Sequence, residues 1–406
     1  MDDDKIKDLL DATQSFKDLM SDTTELMEDI EEVSKSEIDL NTIYPKLIFK
    51  TEDLVRTMNL CSKLIQPKSD NIAYNSISIA PVPELNTINF YVTNDLSHFR
   101  LTTELIGGDS NSINEIISIP FITLQRVIKL AGSKILIYKR EDNLYIRLLG
   151  GDLLLDYRSI DMKYLQFPGE IKEKIADLGL DNIGSIVNVA LPLLNSELRG
   201  DIRRINFTGE KAYYNSSFYY LESVIETPKI SLSLKDSEFI NKLYKYYKGK
   251  QIQLFKVESN LSRLFLKLDN IEYEFINSVH TISPTFLEQI DKLVSPIEVI
   301  VNHGRFVQVV TLATMLPSST GTIGLSYKNN KLIIKISSNR GESEFTFDTK
   351  LEKEHLYNKE IFVRAETLRK LLNAFSSVDK VGVALSDLGI TLEYNGIKAV
   401  MMHTDI

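Results

Sequence analysis

Lys242, Lys245 and Lys248 recur at every third position of SEFINKLYKYYKGK, which starts at Ser237, and Arg126 and Lys129 repeat that spacing in PFITLQRVIKLAG, which starts at Pro120. Residues three apart share a face of a helix, so each segment sets cations side by side. Arg56 and Lys63 fall in TEDLVRTMNLCSKLI, Arg305 in HGRFVQVVTLATML, and Arg369 with Lys370 in AETLRKLLNAF. The chemistry open to such residues is attraction of phosphate, which needs charge and no base-edge contact. The alternative is that the same cations are ordinary solvated helix faces.

Bond-breaking chemistry has no comparable footing. The five histidines, His98, His280, His303, His355 and His403, are scattered, with no HExxH spacing. No GxxxxGK[ST] loop and no GxSxG turn occurs, and Gly107-Gly108 and Gly150-Gly151 read as turns at strand ends. Cys61 sits in a helical stripe without a nearby His, and Asp152 with Asp156 lies in a strand pattern. No catalytic residue, metal or cofactor is expected, and the chain reads as a binding protein rather than an enzyme.

Charge is distributed unevenly. Residues 1–40 carry fourteen Asp or Glu against four Lys, a net of −10, so the whole-chain −9 leaves residues 41–406 near +1. The acidic stretch has apolar residues at Ile6, Leu9, Phe16, Met20, Met27 and Ile30, in steps close to a heptad. It reads as an acidic helical leader over 1–45, either a solvated amphipathic helix resting on the body or a neighbour, or a segment that competes with DNA or recruits a partner. An apolar fraction of 43% and a charged fraction of 25% are those of a globular protein, and 406 residues suggest two to four domains. Three aspartates follow Met1, and no run of eighteen apolar residues exists, so neither a secretory signal nor a membrane span is expected. The single cysteine excludes an intrachain disulfide and fits a reducing, cytoplasmic setting.

From about residue 46 the pattern repeats. Three segments lead from a helix of about three turns into alternating strands: one from Pro120, one from Ser237 and one from Ala365, with Thr123, Phe239 and Thr367 in similar places. Upstream of each lies a matching half-unit, at 51–101, 184–222 and 303–347. Pro192 makes the helix over 184–194 the weakest of the set, because an interior proline loses a hydrogen bond and crowds the preceding turn. The expected fold is α+β, with three repeated modules of two helices plus antiparallel sheet, over 46–170, 171–295 and 296–406 behind the leader.

That order of elements resembles the bacterial DNA polymerase III beta subunit, the DNA sliding clamp. TNDLSHFRL (93–101) is similar to the family's ATDLE strand-turn, and LQFPGEI (165–171) to the Phe-Pro segment closing the first domain. YYNSSFYY (213–220) stands where the family has ATDGHRLA, with Asn215 in place of the Asp and the glycine lost. VMMHTDI (400–406) resembles a terminal MPMRL strand, with His403 where the proline would be. These departures point to a divergent member, of the kind a phage encodes.

The resemblance implies a ring of six modules closed by two chains head to tail, helices lining the hole and sheets outside. It implies sequence-independent binding of double-stranded DNA, an ATP-dependent clamp loader, and a DNA polymerase tethered as its processivity partner. The DNA-binding set is then Arg56, Lys63, Arg126, Lys129, Lys242, Lys245, Lys248, Arg305, Arg369 and Lys370, with Lys68 at the rim. A partner-peptide pocket between the second and third modules would use Tyr214, Ser217, Tyr219, Val400 and Met402. Two other functions suit the same residues: a clamp-fold interaction platform, for example in transcription, and a viral structural protein without DNA encirclement.

Overall fold

The computed structural model describes residues 44–406, except positions 111–112, 114, 149–150, 168–169, 197–202, 217–218, 260–261, 279–293, 317–320, 339–340, 354–355, 376–377 and 404–406. The leader up to residue 43, Gly150, Ser217, His280 and His355 lie outside the described residues. The described residues form an α+β fold of helices and antiparallel sheets that divides into two compact units, 44–167 with 269–273, and the described residues of 168–268 with those of 274–406.

In the first unit, strand Lys46–Lys50 sits between Gly107–Gly108 and Lys134–Arg140, followed by Asn143–Leu148 and Gly151–Leu155. A second run orders Arg158–Ile160, Ile116–Pro120, Ser76–Val82, Thr87–Thr93 and Ser97–Glu104. Alternation drives it: Ser97, Phe99, Leu101 and Thr103 turn inward while the residues between them do not. Phe49 and Phe90 meet edge to face at 5.4 Å in the core.

Helix α1 (Thr51–Cys61) follows directly from the first strand and buries Leu54, Thr57, Met58, Leu60 and Cys61. Helix α2 (Phe121–Val127) is shorter than the three turns expected, and tightens into a 3-10 turn over Ile128–Leu130. Only Ala131, Gly132 and Ser133 then separate it from the strand at Lys134, so the chain has no length for a further turn. The Gly107-Gly108 pair also departs from expectation. It is a two-residue edge strand paired with Leu47 and Ile48. Gly108 sits at φ +85, where an added Cβ would collide with the Lys46 carbonyl oxygen.

Among the described residues, the second unit is built on four helices. Helix α3 (Leu180–Ser196), with Pro192 inside it, is the longest among the described residues, although proline made it the weakest expectation. Ile183, Ile186, Val187, Ala190, Leu193 and Leu194 are all buried, and packing of that apolar face outweighs the lost backbone bond. Helix α4 (Leu234–Tyr246) begins three residues before Ser237, because Ser233 and Asp236 form a capping box. Helix α3 packs on α4 through Gly184, where an added Cβ would lie 2.6 Å from Cδ2 of Tyr244.

Helix α5 (His303–Met315) is capped by Asn302, whose side chain accepts from the Arg305 amide at 2.8 Å. It packs on helix α6 (Ala365–Ala374), and His303 Nε2 lies 2.9 Å from the Leu372 carbonyl oxygen. Helix α3 also packs on α6. Beneath these helices runs a nine-stranded antiparallel sheet. Its centre is the pairing of Tyr219–Val224 with Ile397–Met402, which makes one sheet from the strands expected in the second and third modules. A four-stranded sheet orders Gly341–Phe347, Lys331–Ser338, Thr322–Lys328 and Ile361–Arg364.

Candidate nucleic-acid interface

The cations fall where helices and their ends place them. In the first unit, Arg56 is on α1, Arg126 on α2 and Lys129 in the 3-10 turn that continues it. Lys63 lies just past α1 and Lys68 in the following turn. In the second unit, Lys242 and Lys245 are on α4, Lys248 just beyond it, Arg305 on α5, and Arg369 with Lys370 on α6. Eight of the eleven are exposed, while Arg56, Lys242 and Arg369 are half-buried.

Several are already engaged. Arg56 approaches Asp53 at 3.8 Å, and Asp53 itself accepts from the Thr103 hydroxyl at 2.6 Å. Arg305 folds back so that its guanidinium donates to the Thr346 carbonyl at 3.1 Å and lies 5.3 Å from the Phe347 ring centre. Arg369 is gripped by Glu366, and the hydrogen-bonded guanidinium holds that carboxyl below the usual carboxylate range. Arg126, Lys129, Lys245, Lys248 and Lys370 keep their side chains in solvent on or next to helices, the placement that a phosphate surface requires.

Helices α1 and α2 flank a groove of about 510 Å³ whose walls include Val55, Met58, Phe121 and Ile122. Arg126 and Lys129 stand in the same wall, and none of its ten residues is acidic.

The register of the central strand pair separates the residues expected in a partner pocket. Tyr214 lies opposite Leu221 and Tyr219 opposite Met401, whereas Tyr220 lies opposite Val400. Directly opposed residues share a sheet face and neighbours along a strand alternate. Tyr214 and Tyr219 therefore occupy one face, and Val400 with Met402 the other. Tyr214 is fully buried, and its hydroxyl lies 3.5 Å from the Leu193 carbonyl of α3. Tyr219 donates to the Thr367 carbonyl of α6 at 3.2 Å, and burial first, then Tyr214, pushes its hydroxyl well above the usual tyrosine range. These two tyrosines hold helices to the sheet.

On the opposite face, Val400 clusters with Tyr213 and Tyr220, with Val294 packed against them. Burial pushes the Tyr213 hydroxyl up to about 12. The Tyr220 hydroxyl donates to Glu222 at 3.0 Å. Met402 is the open member of the expected set, 50% exposed. Sequence reasoning did not place Tyr213, Tyr220 and Val294 beside Val400, because no local pattern announces the register in which Asn215 pairs with Tyr220. Counting back from the pairing of Asn215 with Tyr220 would have found the first two.

Cys61, His98 and Asp152 are taken up by the structure around them. Cys61 is buried, and His98 Nδ1 lies 2.6 Å from the Thr93 hydroxyl. Asp152 takes two hydrogen bonds from Arg147, at 2.8 and 3.0 Å. Among the described residues no group of three His, Cys, Asp or Glu is placed to hold a metal, and no helix is long and apolar enough to cross a membrane.

No protein-family model matches the sequence, and no curated protein does either. The structure does match solved ones. A DNA polymerase III subunit beta sliding clamp from Bartonella birtlesii, solved with griselimycin, superposes with a TM-score of 0.70 at 12% identity, covering 89% of this chain and 100% of that one. The DNA polymerase III beta subunit of Thermotoga maritima gives 0.69 at 11% identity over 89% and 99% of the two chains. The Borrelia burgdorferi subunit, in complex with a natural product, gives 0.70 at 11% over the same shares. The chain has the sliding-clamp fold, at 11–12% identity to these structures.

Proposed function

We propose that this protein is a DNA sliding clamp: two chains close head to tail into a ring around duplex DNA and tether a replicative DNA polymerase as its processivity factor, without catalysis of their own. An ATP-dependent loader opens the ring. The carrying observation is the combination of a clamp fold spanning 89% of the chain with exposed cations on its helices, while the net negative charge comes from residues 1–40. A clamp must hold phosphate without reading bases, and clustered Lys and Arg on helix faces supply that grip.

In this reading the modules are 46–170, 171–295 and 296–406, and the strand pairing of Tyr219–Val224 with Ile397–Met402 is the intrachain counterpart of the contact that closes the ring. Pairing such edges between subunits also removes an aggregation hazard. Partner peptides use the face that carries Met402, beside the Tyr213, Tyr220 and Val400 cluster. Sedimentation velocity at low concentration tests the assembly. A two-chain species is expected, and a strict monomer would contradict ring closure.

A further inference from the structure

We infer that the groove between α1 and α2 is the docking site of this chain's own acidic segment, residues 1–43, which lies there by its apolar stripe and occupies the cations that otherwise meet phosphate. Half of the residues lining the groove are apolar, Val55, Met58, Phe121, Ile122 and Ile128, and its charged wall is basic. Met58 and Phe121 are each 6% exposed, while Ile122 stands 47% exposed beside them. Arg126 and Lys129 are the only charged residues among the ten that line it, and both are cations.

The segment has the complementary chemistry. It presents Ile6, Leu9, Phe16, Met20, Met27 and Ile30 at near-heptad spacing, and residues 1–40 carry a net −10. An amphipathic helix that lays such a stripe into a groove buries apolar area while its acidic flanks meet the wall. Reach does not limit the contact: residues 31–43 alone can span about 40 Å when extended. The described chain resumes at Tyr44, and its first strand, Lys46–Lys50, runs straight into α1. A segment tethered this close acts at a high effective concentration, in the millimolar range for short linkers. Docking itself is independent of the proposed clamp function. Its consequence, competition with duplex DNA for the same cations, rests on that function.

The test uses the full chain with p-benzoylphenylalanine in place of the exposed Ile122. Irradiation is expected to give an intramolecular adduct that maps to residues 1–43. Its yield should fall at least fivefold with Phe16→Asp plus Met20→Asp, and again with Arg126→Glu plus Lys129→Glu. An adduct elsewhere in the chain, a yield unmoved by both double substitutions, or an intermolecular adduct that assigns the groove to a second copy would each overturn the docking. Adding duplex DNA should lower the yield in the unsubstituted chain. An adduct that persists unchanged under saturating duplex supports the docking and overturns the competition, and a chain that binds no duplex even with Phe16→Asp plus Met20→Asp contradicts the clamp function alone.

Discussion

Arg369 holds Glu366, one helical turn away on α6, through two parallel hydrogen bonds, Nε to Oε2 at 2.9 Å and Nη2 to Oε1 at 2.8 Å. The pair lies at the surface, where such bridges add little stability. Its effect is on availability, because a guanidinium whose Nε–Nη2 edge and charge are already matched by a carboxylate has less to offer a phosphate. Glu366→Gln should therefore tighten duplex binding and steepen the salt dependence by about one unit in the log–log slope. Arg369→Gln should do the opposite. Filter-binding titrations across salt concentrations measure both, and equal slopes in the two variants would mean that Arg369 does not meet DNA.

Close approach of α3 and α4 depends on the absent side chain at Gly184, over which the Tyr244 ring lies. Gly184→Ala drives a methyl into that ring and should destabilise the protein by about 1–3 kcal/mol despite alanine's better helix propensity. Adding Tyr244→Ala should recover part of the loss. Chemical denaturation of the single and double variants measures it, and a stabilised Gly184→Ala would contradict the packing described.

The two sheet faces around the central strand pair should respond differently to substitution. Tyr219→Phe removes one buried hydrogen bond to α6 and is expected to cost about 1 kcal/mol. Val400→Ala opens the Tyr213–Tyr220 cluster and should cost on the order of 2 kcal/mol. Met402→Asp, at an exposed position, should leave stability within about 0.5 kcal/mol while abolishing binding of a polymerase-derived peptide. Thermal melts with a peptide-binding assay separate these outcomes. Unchanged peptide binding in Met402→Asp would move the partner surface elsewhere.

Glu274 is fully buried against Arg263, whose Nη1 donates to it at 3.1 Å, and its other oxygen has no partner among the described residues. Burial raises its pKa from the ordinary 4.5, against the lowering effect of Arg263. The folded chain then binds this proton more tightly than the unfolded chain, so stability is fully present below pH 4.5 and is lost as pH rises through the raised folded value. Glu274→Gln should flatten stability over that window when denaturation midpoints are compared at several pH values. A parallel pH profile in wild type and variant would contradict the assignment.

The sequence already showed where regularity is strong. Alternation along Ser97–Glu104 and the helical stripes of α4 and α6 were legible because one face of each is apolar and the other is not. The length of α3 was not, since Pro192 argues against it locally and only packing on α4 and α6 overrides that. Cations could be placed on helices from spacing alone, yet the engagement of Arg305 by Thr346 and Phe347 joins residues about forty positions apart, and no local pattern reveals it. The register around the expected pocket residues was least legible. A register one residue away from the naive count sends every side chain to the other face, so Tyr219 anchors a helix and Tyr220 meets Val400.

Encirclement is a statement about topology, and retention on circular DNA tests it most directly. The protein, loaded with an ATP-dependent loader onto a nicked circular duplex and separated by gel filtration in high salt, should stay with the circle and be lost when a single cut linearises it. Charge reversal at Lys242, Lys245 and Arg369 should reduce loading without changing that dependence. Equal retention on circular and linear duplex of the same length would contradict the central claim, because a surface that merely binds phosphate does not distinguish a closed circle from one with ends.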